Sequence, residues 1–284
     1  ENFIDYIILC VYVDMDDWPY NNWRAGRERR AGAKWRFYIW DAERSFGTDG
    51  KQMLGRQRRV VSSNNLTSGA LASRADIARI FQSFAANPEF RLTFADRVHR
   101  HFFNGGGLTD EKIELRYREL AQQMKFVLPD MSSYIERVWI PQRRAIVMKQ
   151  MASIDLQRSE NAPRFSQHGG TVPAGFKLNI TAPIGQVRFT TDGTDPRGSS
   201  AQTFTVPVEF NRHTTVKARS RMDGKWSALT EANFTPEKLG FPVKFTEVMY
   251  YPLGGSEYEF VELQNISQTE VDLSWHRIKG IKKD

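Results

Sequence analysis

The chain has 284 residues, of which 40% are hydrophobic, 26% charged and 12% aromatic. This length suffices for two or three domains that each bury a core, and the composition excludes a largely disordered chain. A net charge of +7 permits an anionic partner such as a nucleotide or a phosphopeptide, but we expect no nucleic-acid partner. No apolar run reaches the ~20 residues of a membrane span, so we expect none in this sequence.

Helical periodicity dominates from Glu1 to about Glu160. The apolar run at 2–13 predicts a buried helix in which the single cysteine, Cys10, packs as a small hydrophobe. The alternation at 34–40 predicts a strand. Four more helices are predicted: one capped by Ser73 and running through Phe84, one from Asn87-Pro88 to a stop at Asn104 to Gly107, one capped by Thr109, and one from Tyr134 to Met151.

Short alternating strands separated by turn residues replace the helices from about residue 163. They are predicted at 176–182, 186–191, 203–210 and 215–220, which together have the size of a small β-sandwich. Two more strands, at 245–250 and 257–263, belong to a second β region that is too short to close a sandwich. The expected fold class is multidomain α+β: a mostly helical domain (1–160), a β-sandwich (163–236, the β-module) and an incomplete β-sandwich (242–284).

Asp17, Asn22 and Asp41 have an order and spacing that suit phosphoryl transfer. That reaction needs a carboxylate to accept the proton of a hydroxyl group, and oxygen ligands that hold Mg²⁺ against the phosphates. An Asp followed five residues later by an Asn supplies both from one loop, and a second Asp after a nearby strand completes the cage. By itself the Asp-x₄-Asn pair is common, and an Asx turn and helix cap in a loop is then the preferred interpretation.

The segment from Asn2 to Gly47 resembles CotH-type (spore coat protein H-like) atypical protein kinases, in its apolar helix, its DWPYNNW loop and its strand followed by WDAE. The resemblance continues through AANPEFRLTFADRVHRHFFNGGGLT and PQRRAIVMKQM, and so covers about 150 residues. It implies that Asp17 is the catalytic base, that Asn22 and Asp41 are ligands of Mg²⁺ (or Mn²⁺) beside ATP, and that Glu43 is an additional metal ligand.

The chain departs from that family in two respects. Relatives often carry a small residue and an Asn where Asp14 and Met15 stand here, so this chain has an additional charge beside the site. Only 16 residues precede Asp17, so we expect the ATP-binding lobe, with its Gly-rich loop and nucleotide lysine, to be missing from this piece. We therefore expect the piece by itself to be inactive.

The two β regions carry resemblances of their own. The segments IGQVRFTTDGTDPRGSS and TTVKARSRMDGKWSALTEANFT resemble the Ig-like C-terminal domain of chitobiase and β-hexosaminidase proteins, an accessory module. Its Asp-Gly and Asp-Pro pairs predict a tight loop. Carbohydrate contact by Trp226 or Phe189 is one interpretation, and core packing is the preferred one. The stretch from Val243 to Gly280 resembles the start of a lamin-tail domain, another Ig-like module.

Together these resemblances imply a secreted or surface-exposed bacterial kinase that phosphorylates Ser or Thr of a protein substrate, with β-modules suited to carbohydrate or cell-surface contact. Two alternatives stay open: a degenerate kinase that serves as an adhesion or scaffold protein, and nucleotidyl transfer from the same metal–phosphate pocket. The arginine group Arg24, Arg27, Arg29 and Arg30 fits either a solvated loop or a grip on phosphate or an acidic peptide.

Overall fold

The computed structural model describes residues 1–15, 18–42, 44–47, 60–127, 134–237, 242–274 and 276–278. Its α-helices lie between residues 2 and 152, and the last of them is preceded by a π-helical turn at Ile135–Trp139. The α-helices are α1 (Asn2–Val13), α2 (Asp76–Ala85), α3 (Pro88–Phe102), α4 (Asp110–Met124) and α5 (Ile140–Ala152).

Helix α1 forms the centre of the helical domain, as its apolar sequence predicts. Eight of its residues are buried, and it contacts the strand at Arg36–Ile39, α3 and α5. Cys10 is fully buried, which confirms its predicted packing role, and burial raises the pKa of its thiol. Asp14 ends the helix in the left-handed conformation (φ 52°) with its side chain fully buried.

A buried arginine on α5 fixes the end of α1. Arg143 is 0% exposed and donates to the carbonyl oxygens of Val11 (2.5 Å) and Tyr12 (2.9 Å). It also donates to the carbonyls of Val61 (2.6 Å) and Ser63 (2.7 Å). A cation is favourable at the C-terminal end of a helix, where the last carbonyl groups lack partners within the helix. This arginine therefore holds α1, α5 and the segment at 60–63 together.

The helix caps follow the sequence signals in one case and depart from them in two. Asn87 caps α3, because its side chain accepts from the backbone N–H of Glu89 at 2.8 Å and Pro88 takes the first helical position. The prediction that Ser73 caps α2 is wrong: Ala75 takes that position. Thr109 takes the predicted N-cap position of α4, but its hydroxyl donates to the carbonyl of Gly106 (3.0 Å) and forms no capping hydrogen bond.

The strands form one hairpin in the helical domain, a group in the β-module and a terminal hairpin. In the helical domain β1 pairs antiparallel with β2, and the strand predicted at 34–40 is β2. The strands are β1 (Trp23–Gly26), β2 (Arg36–Ile39), β3 (Arg164–Phe165), β4 (Gly170–Val172), β5 (Lys177–Leu178), β6 (Ile180–Thr181), β7 (Gln186–Thr190), β8 (Gln202–Thr203), β9 (Val208–Glu209), β10 (Thr214–Met222), β11 (Lys225–Trp226), β12 (Thr230–Pro236), β13 (Val243–Met249) and β14 (Phe260–Asn265).

The β-module is sandwich-like. Its main sheet has the order β4-β12-β10-β7-β8, with β11 paired to β10, and all pairs are antiparallel except β4 with β12. The short pairs β3–β6 and β5–β9 contribute Leu178, Ile180 and Val208 to the same core as Val216 and Phe234 of the main sheet. The module therefore has one hydrophobic core between two layers, as predicted.

Two predicted strands of the β-module are each divided in the structure. The segment predicted at 203–210 contains only the last residue of β8, Thr203, and the short strand β9. Pro207 lies between them and interrupts the predicted strand, because proline has no N–H to donate to a strand ladder. The segment predicted at 176–182 is interrupted at Asn179, whose N–H is donated to the Ser166 hydroxyl at 3.1 Å. The strand at 186–191 is found as β7, and that at 215–220 lies within β10.

Strands β13 and β14 form an antiparallel hairpin with an irregularity in register between Phe245 and Glu247. They occupy most of the two segments predicted in this region. Large apolar side chains on and beside the hairpin are exposed, including Phe245 (58%), Val248 (56%) and Tyr251 (88%).

Candidate functional site

Asn22 and Asp41 adjoin each other at the base of the β1–β2 hairpin. The pairing of Trp23 with Ile39 closes the hairpin, so Asn22 directly precedes it and Asp41 follows it by two residues. The Asn22 side-chain Nδ2 donates to the backbone carbonyl of Asp41 at 3.5 Å. Both residues have positive φ, 41° and 54°, a conformation that Asn and Asp adopt more readily than most residues. The structure thus brings together two of the predicted site residues.

Asp17 and Glu43, the predicted base and the predicted additional ligand, lie outside the described residues. The nearest described residues before and after position 17 are Met15 and Trp18, and both are anchored to the core. The backbone carbonyl of Met15 accepts from the Asn65 side chain at 3.3 Å, and the Trp18 indole N–H is donated to the Tyr6 hydroxyl at 2.6 Å. Met15 and Trp18 are 0% and 2% exposed.

The chain after β2 returns to the end of α1. The backbone N–H of Phe46 donates to the carbonyl of Val13 at 2.6 Å, next to the buried Asp14. The side chain of Asn2, at the start of α1, binds the backbone of Phe37 in β2. Its amide oxygen accepts from the Phe37 N–H at 2.6 Å, and its amide nitrogen donates to the Phe37 carbonyl at 3.3 Å. Helix α1 is therefore in contact with the second strand of the hairpin and with the segment that follows it.

The donor chemistry of this site fits a hard divalent cation. Asn22 has an amide oxygen and Asp41 a carboxylate, and Mg²⁺ takes oxygen ligands of these kinds. The hydrogen bond to the Asp41 carbonyl uses the amide nitrogen of Asn22 and leaves the amide oxygen for another ligand. Within the described ranges, no group of three or more His, Cys, Asp or Glu residues is arranged to hold a metal ion.

A second cluster of charges lies where the helical domain meets the β-module. Arg219 of β10 is 1% exposed and forms a bidentate pair with Asp96 of α3, at 2.7 and 2.6 Å. Asp195 accepts from the same guanidinium at 3.2 and 3.1 Å. Burial by itself would lower the pKa of Arg219, but its bonds to both carboxylates outweigh burial and raise it. Burial raises the pKa of the Asp96 carboxyl, although the guanidinium opposes that shift.

The Asp195 loop has the predicted turn geometry and a second role that its sequence does not reveal. Asp192 accepts from the backbone N–H of Thr194, and Asp195 from that of Arg197, both at 2.9 Å. Arg197 also reaches Glu89 of α3 at 2.7 Å. The tight loop predicted from its Asp-Gly and Asp-Pro pairs is therefore confirmed, and it attaches the β-module to α3.

A cleft of about 430 Å³ lies at this junction, and both His99 and His168 line it. His99 is 6% exposed, and its Nδ1 has no hydrogen-bond partner among the described residues. Burial, followed by the nearby His168, lowers the pKa of His99 to about 4. His99 is therefore neutral near pH 7.

The two aromatic residues considered for carbohydrate contact differ in their surroundings. Phe189 is 7% exposed and belongs to the core of the β-module, which confirms the preferred interpretation for this residue. Trp226 is half-buried, and the Arg221 guanidinium lies over its ring at 5.1 Å from the centroid.

Residues 167–230 match the family model of the chitobiase/beta-hexosaminidase C-terminal domain. The match extends from just before β4 to the first residue of β12, and includes the Asp195 loop and Arg219. It supports the Ig-like module predicted here and covers less than a quarter of the chain. No curated protein and no solved structure matches the chain significantly. In the described ranges, no helix combines the length and the apolar composition that crossing a bilayer requires.

Proposed function

We propose that the helical domain is the metal-binding and catalytic half of a CotH-type protein kinase, which transfers the γ-phosphoryl group of ATP to Ser or Thr of a protein. The observation that supports this most directly is the placement of Asn22 and Asp41 at the two ends of one hairpin, joined by a hydrogen bond. The pairing of β1 with β2 brings these two residues together, so that an amide oxygen and a carboxylate are available to the same metal ion.

The proposed roles follow from the side-chain chemistry. Asn22 and Asp41, with Glu43 as an additional ligand, would hold Mg²⁺ or Mn²⁺, which when bound offsets the negative charge of the phosphates. Asp17 orients the acceptor hydroxyl and takes its proton. The hydroxyl oxygen forms a bond to the γ-phosphorus, the bond from that phosphorus to the bridging oxygen breaks, and ADP leaves.

The location that we propose is extracytoplasmic, either secreted or on the cell surface. It rests on the combination of the helical domain with Ig-like modules, one of which matches an accessory domain of chitobiase and β-hexosaminidase proteins. We propose that these modules contact carbohydrate or another component of the cell surface. The assignment of the terminal hairpin to a lamin-tail domain belongs to the same proposal.

An adhesion or scaffold protein with a degenerate kinase domain is the second candidate. The exposed apolar side chains of the terminal hairpin, such as Phe245 and Tyr251, favour it, because large exposed apolar patches commonly mark interaction surfaces.

Phosphate transfer by the intact protein that contains this chain tests both candidates. With γ-labelled ATP and Mg²⁺ or Mn²⁺, we expect label in protein Ser or Thr. We expect Asp17→Asn to reduce it by about 100-fold or more, and Asn22→Ala and Asp41→Asn to reduce it strongly. Asn21→Ala, at the exposed neighbour of Asn22, is the matched control and should leave the label unchanged.

The remaining outcomes decide between the alternatives. Wild-type label no higher than that of Asp17→Asn rejects the kinase and favours the scaffold protein. Label from α-labelled ATP in place of γ-labelled ATP identifies nucleotidyl transfer.

A further inference from the structure

We propose that the β1–β2 hairpin, residues 23–39, is a docking surface for an acidic segment of the protein substrate, adjacent to its acceptor Ser or Thr. We call this segment the basic hairpin. The inference rests on the proposed kinase function and adds a substrate class to it.

Positive charge is concentrated in this hairpin. Its 17 residues contain six basic side chains and one acidic side chain, so it has a net charge of +5 out of the +7 of the whole chain. The remaining 267 residues therefore share a net charge of only +2. A basic patch of this density raises the local concentration of an acidic partner and accelerates its association.

Two of these arginines are held in place by aromatic rings. The Arg24 guanidinium lies over the ring of Trp40 at 4.8 Å from the centroid, and that of Arg27 over Trp35 at 5.4 Å. The indoles are 52% and 58% exposed, and Arg24 also donates to the Trp23 carbonyl at 2.9 Å. Stacking restricts both guanidinium groups before a ligand arrives, so less side-chain entropy is lost on binding.

The stacked guanidinium groups are available to a ligand. Among the described residues, neither Arg24 nor Arg27 forms an ion pair, whereas Arg30 is paired with Glu28. An arginine fork binds a carboxylate through two parallel hydrogen bonds.

The hairpin begins at the proposed catalytic site. Arg24 and Arg27 lie two and five residues beyond Asn22, which corresponds to about 7 and 16 Å of extended chain at ~3.3 Å per residue. An extended substrate peptide has the same rise per residue. Acidic residues two to five positions from the acceptor would therefore lie opposite the two stacked arginines.

Peptide binding tests this inference without any turnover. The probe is a fluorescent peptide with Ala at the acceptor position and Glu two to five positions away, and its matched control has Gln at those positions. By fluorescence anisotropy at low salt, we expect the chain to bind the Glu peptide at least 10-fold more tightly than the Gln peptide. The Arg24→Gln/Arg27→Gln variant should lose most of this preference.

The matched control variant is Arg74→Gln/Arg79→Gln, which removes two exposed arginines at and before α2 and should retain the preference. Three results would overturn the inference: equal affinity for the two peptides, an equal loss in the Arg74/Arg79 variant, or tighter binding of single-stranded DNA of the same charge than of the Glu peptide. A preference for Glu without any phosphate transfer by the intact protein would retain the docking surface and reject only the kinase.

Discussion

Three buried side chains show two ways in which this chain places an ionisable group away from water. Arg143, Arg219 and His99 are 0%, 1% and 6% exposed. Arg143 donates to four backbone carbonyls and Arg219 binds two carboxylates, so each guanidinium has partners for its charge. His99, by contrast, has an Nδ1 atom without a hydrogen-bond partner among the described residues, and burial keeps its imidazole neutral.

The buried neutral imidazole of His99 predicts a loss of stability in acid. The unfolded chain protonates this histidine near pH 6.5, whereas the folded protein does so only near pH 4. Between these values the unfolded state binds a proton that the folded state does not. The free energy of unfolding therefore decreases as the pH decreases from 6.5 to 4. The His99 contribution is fully present above pH 6.5, and about 3 kcal/mol of it is lost by pH 4.

Urea unfolding at pH 7.5, 6.0 and 4.5 measures this slope. The His99→Gln variant should show a shallower loss of stability with falling pH than the wild type, whatever its absolute stability. His276→Gln is the control, because His276 is exposed and its removal should leave the slope unchanged. A His99→Gln slope equal to that of the wild type would contradict the assignment.

The three consecutive glycines that follow α3, at 105–107, are not equivalent in the structure. A Cβ on Gly106 would lie 2.2 Å from the Arg100 carbonyl oxygen and 2.5 Å from that of His101. A Cβ on Gly107 would have no heavy atom within 4 Å. The sequence predicts that helix α3 ends here, but the chain packing against the last turn of α3 decides which glycine is required.

Gly106→Ala should therefore destabilise the helical domain by about 1–3 kcal/mol, because backbone atoms that cannot rotate away must shift. Gly107→Ala is the matched variant, and it should lie within about 0.5 kcal/mol of the wild type or be slightly more stable. Denaturant unfolding of the two variants checks this, and equal stabilities would show that the close approach at Gly106 is relieved at little cost.

Elements with strong local signals could be predicted from the sequence, and elements defined by their partners could not. Helix α1 is an unbroken apolar run, and Asn87-Pro88 is a local start signal for α3. Strand β1, by contrast, was not predicted, because Trp23–Gly26 contains Ala and Gly and pairs only in the presence of β2. The approach of Asn22 to Asp41 is implied by the family resemblance, and it depends on this same pairing of β1 with β2.

At the scale of the whole molecule, α3 connects the β-module with the site region. Asp96 binds Arg219 of the β-module, and the next residue, Arg97, binds Asp5 of α1 at 2.6 and 2.7 Å. The first pair joins residues 123 positions apart, which no local pattern in the sequence could indicate. Because α1 leads directly to the loop before Asn22, the β-module is attached to the same framework as the proposed catalytic residues.

The Arg219 cluster predicts how firmly the β-module is attached. Arg219→Met leaves the Asp96 carboxylate buried without its cation, which costs about 3–5 kcal/mol for a pair of this kind. We expect unfolding in urea at a lower concentration, with the β-module and the helical domain separating into two transitions. Arg221→Met, at an exposed position of the same strand, is the control and should keep one transition near that of the wild type.

A second substitution separates the loss of the charge pair from a general disturbance of β10. Arg219→Met/Asp96→Leu removes the buried carboxylate together with its cation, and Asp195, which is 38% exposed, keeps its contact with Arg197. The double variant should therefore recover much of the stability that Arg219→Met loses. If the double variant is no more stable than Arg219→Met, the effect lies in the packing of β10 and not in the ion pair. Recovery of stability would show that the loss in Arg219→Met comes from the unpaired Asp96 carboxylate, since the buried cluster of Ala95, Ala162 and Ala228 at this junction is unchanged in both variants.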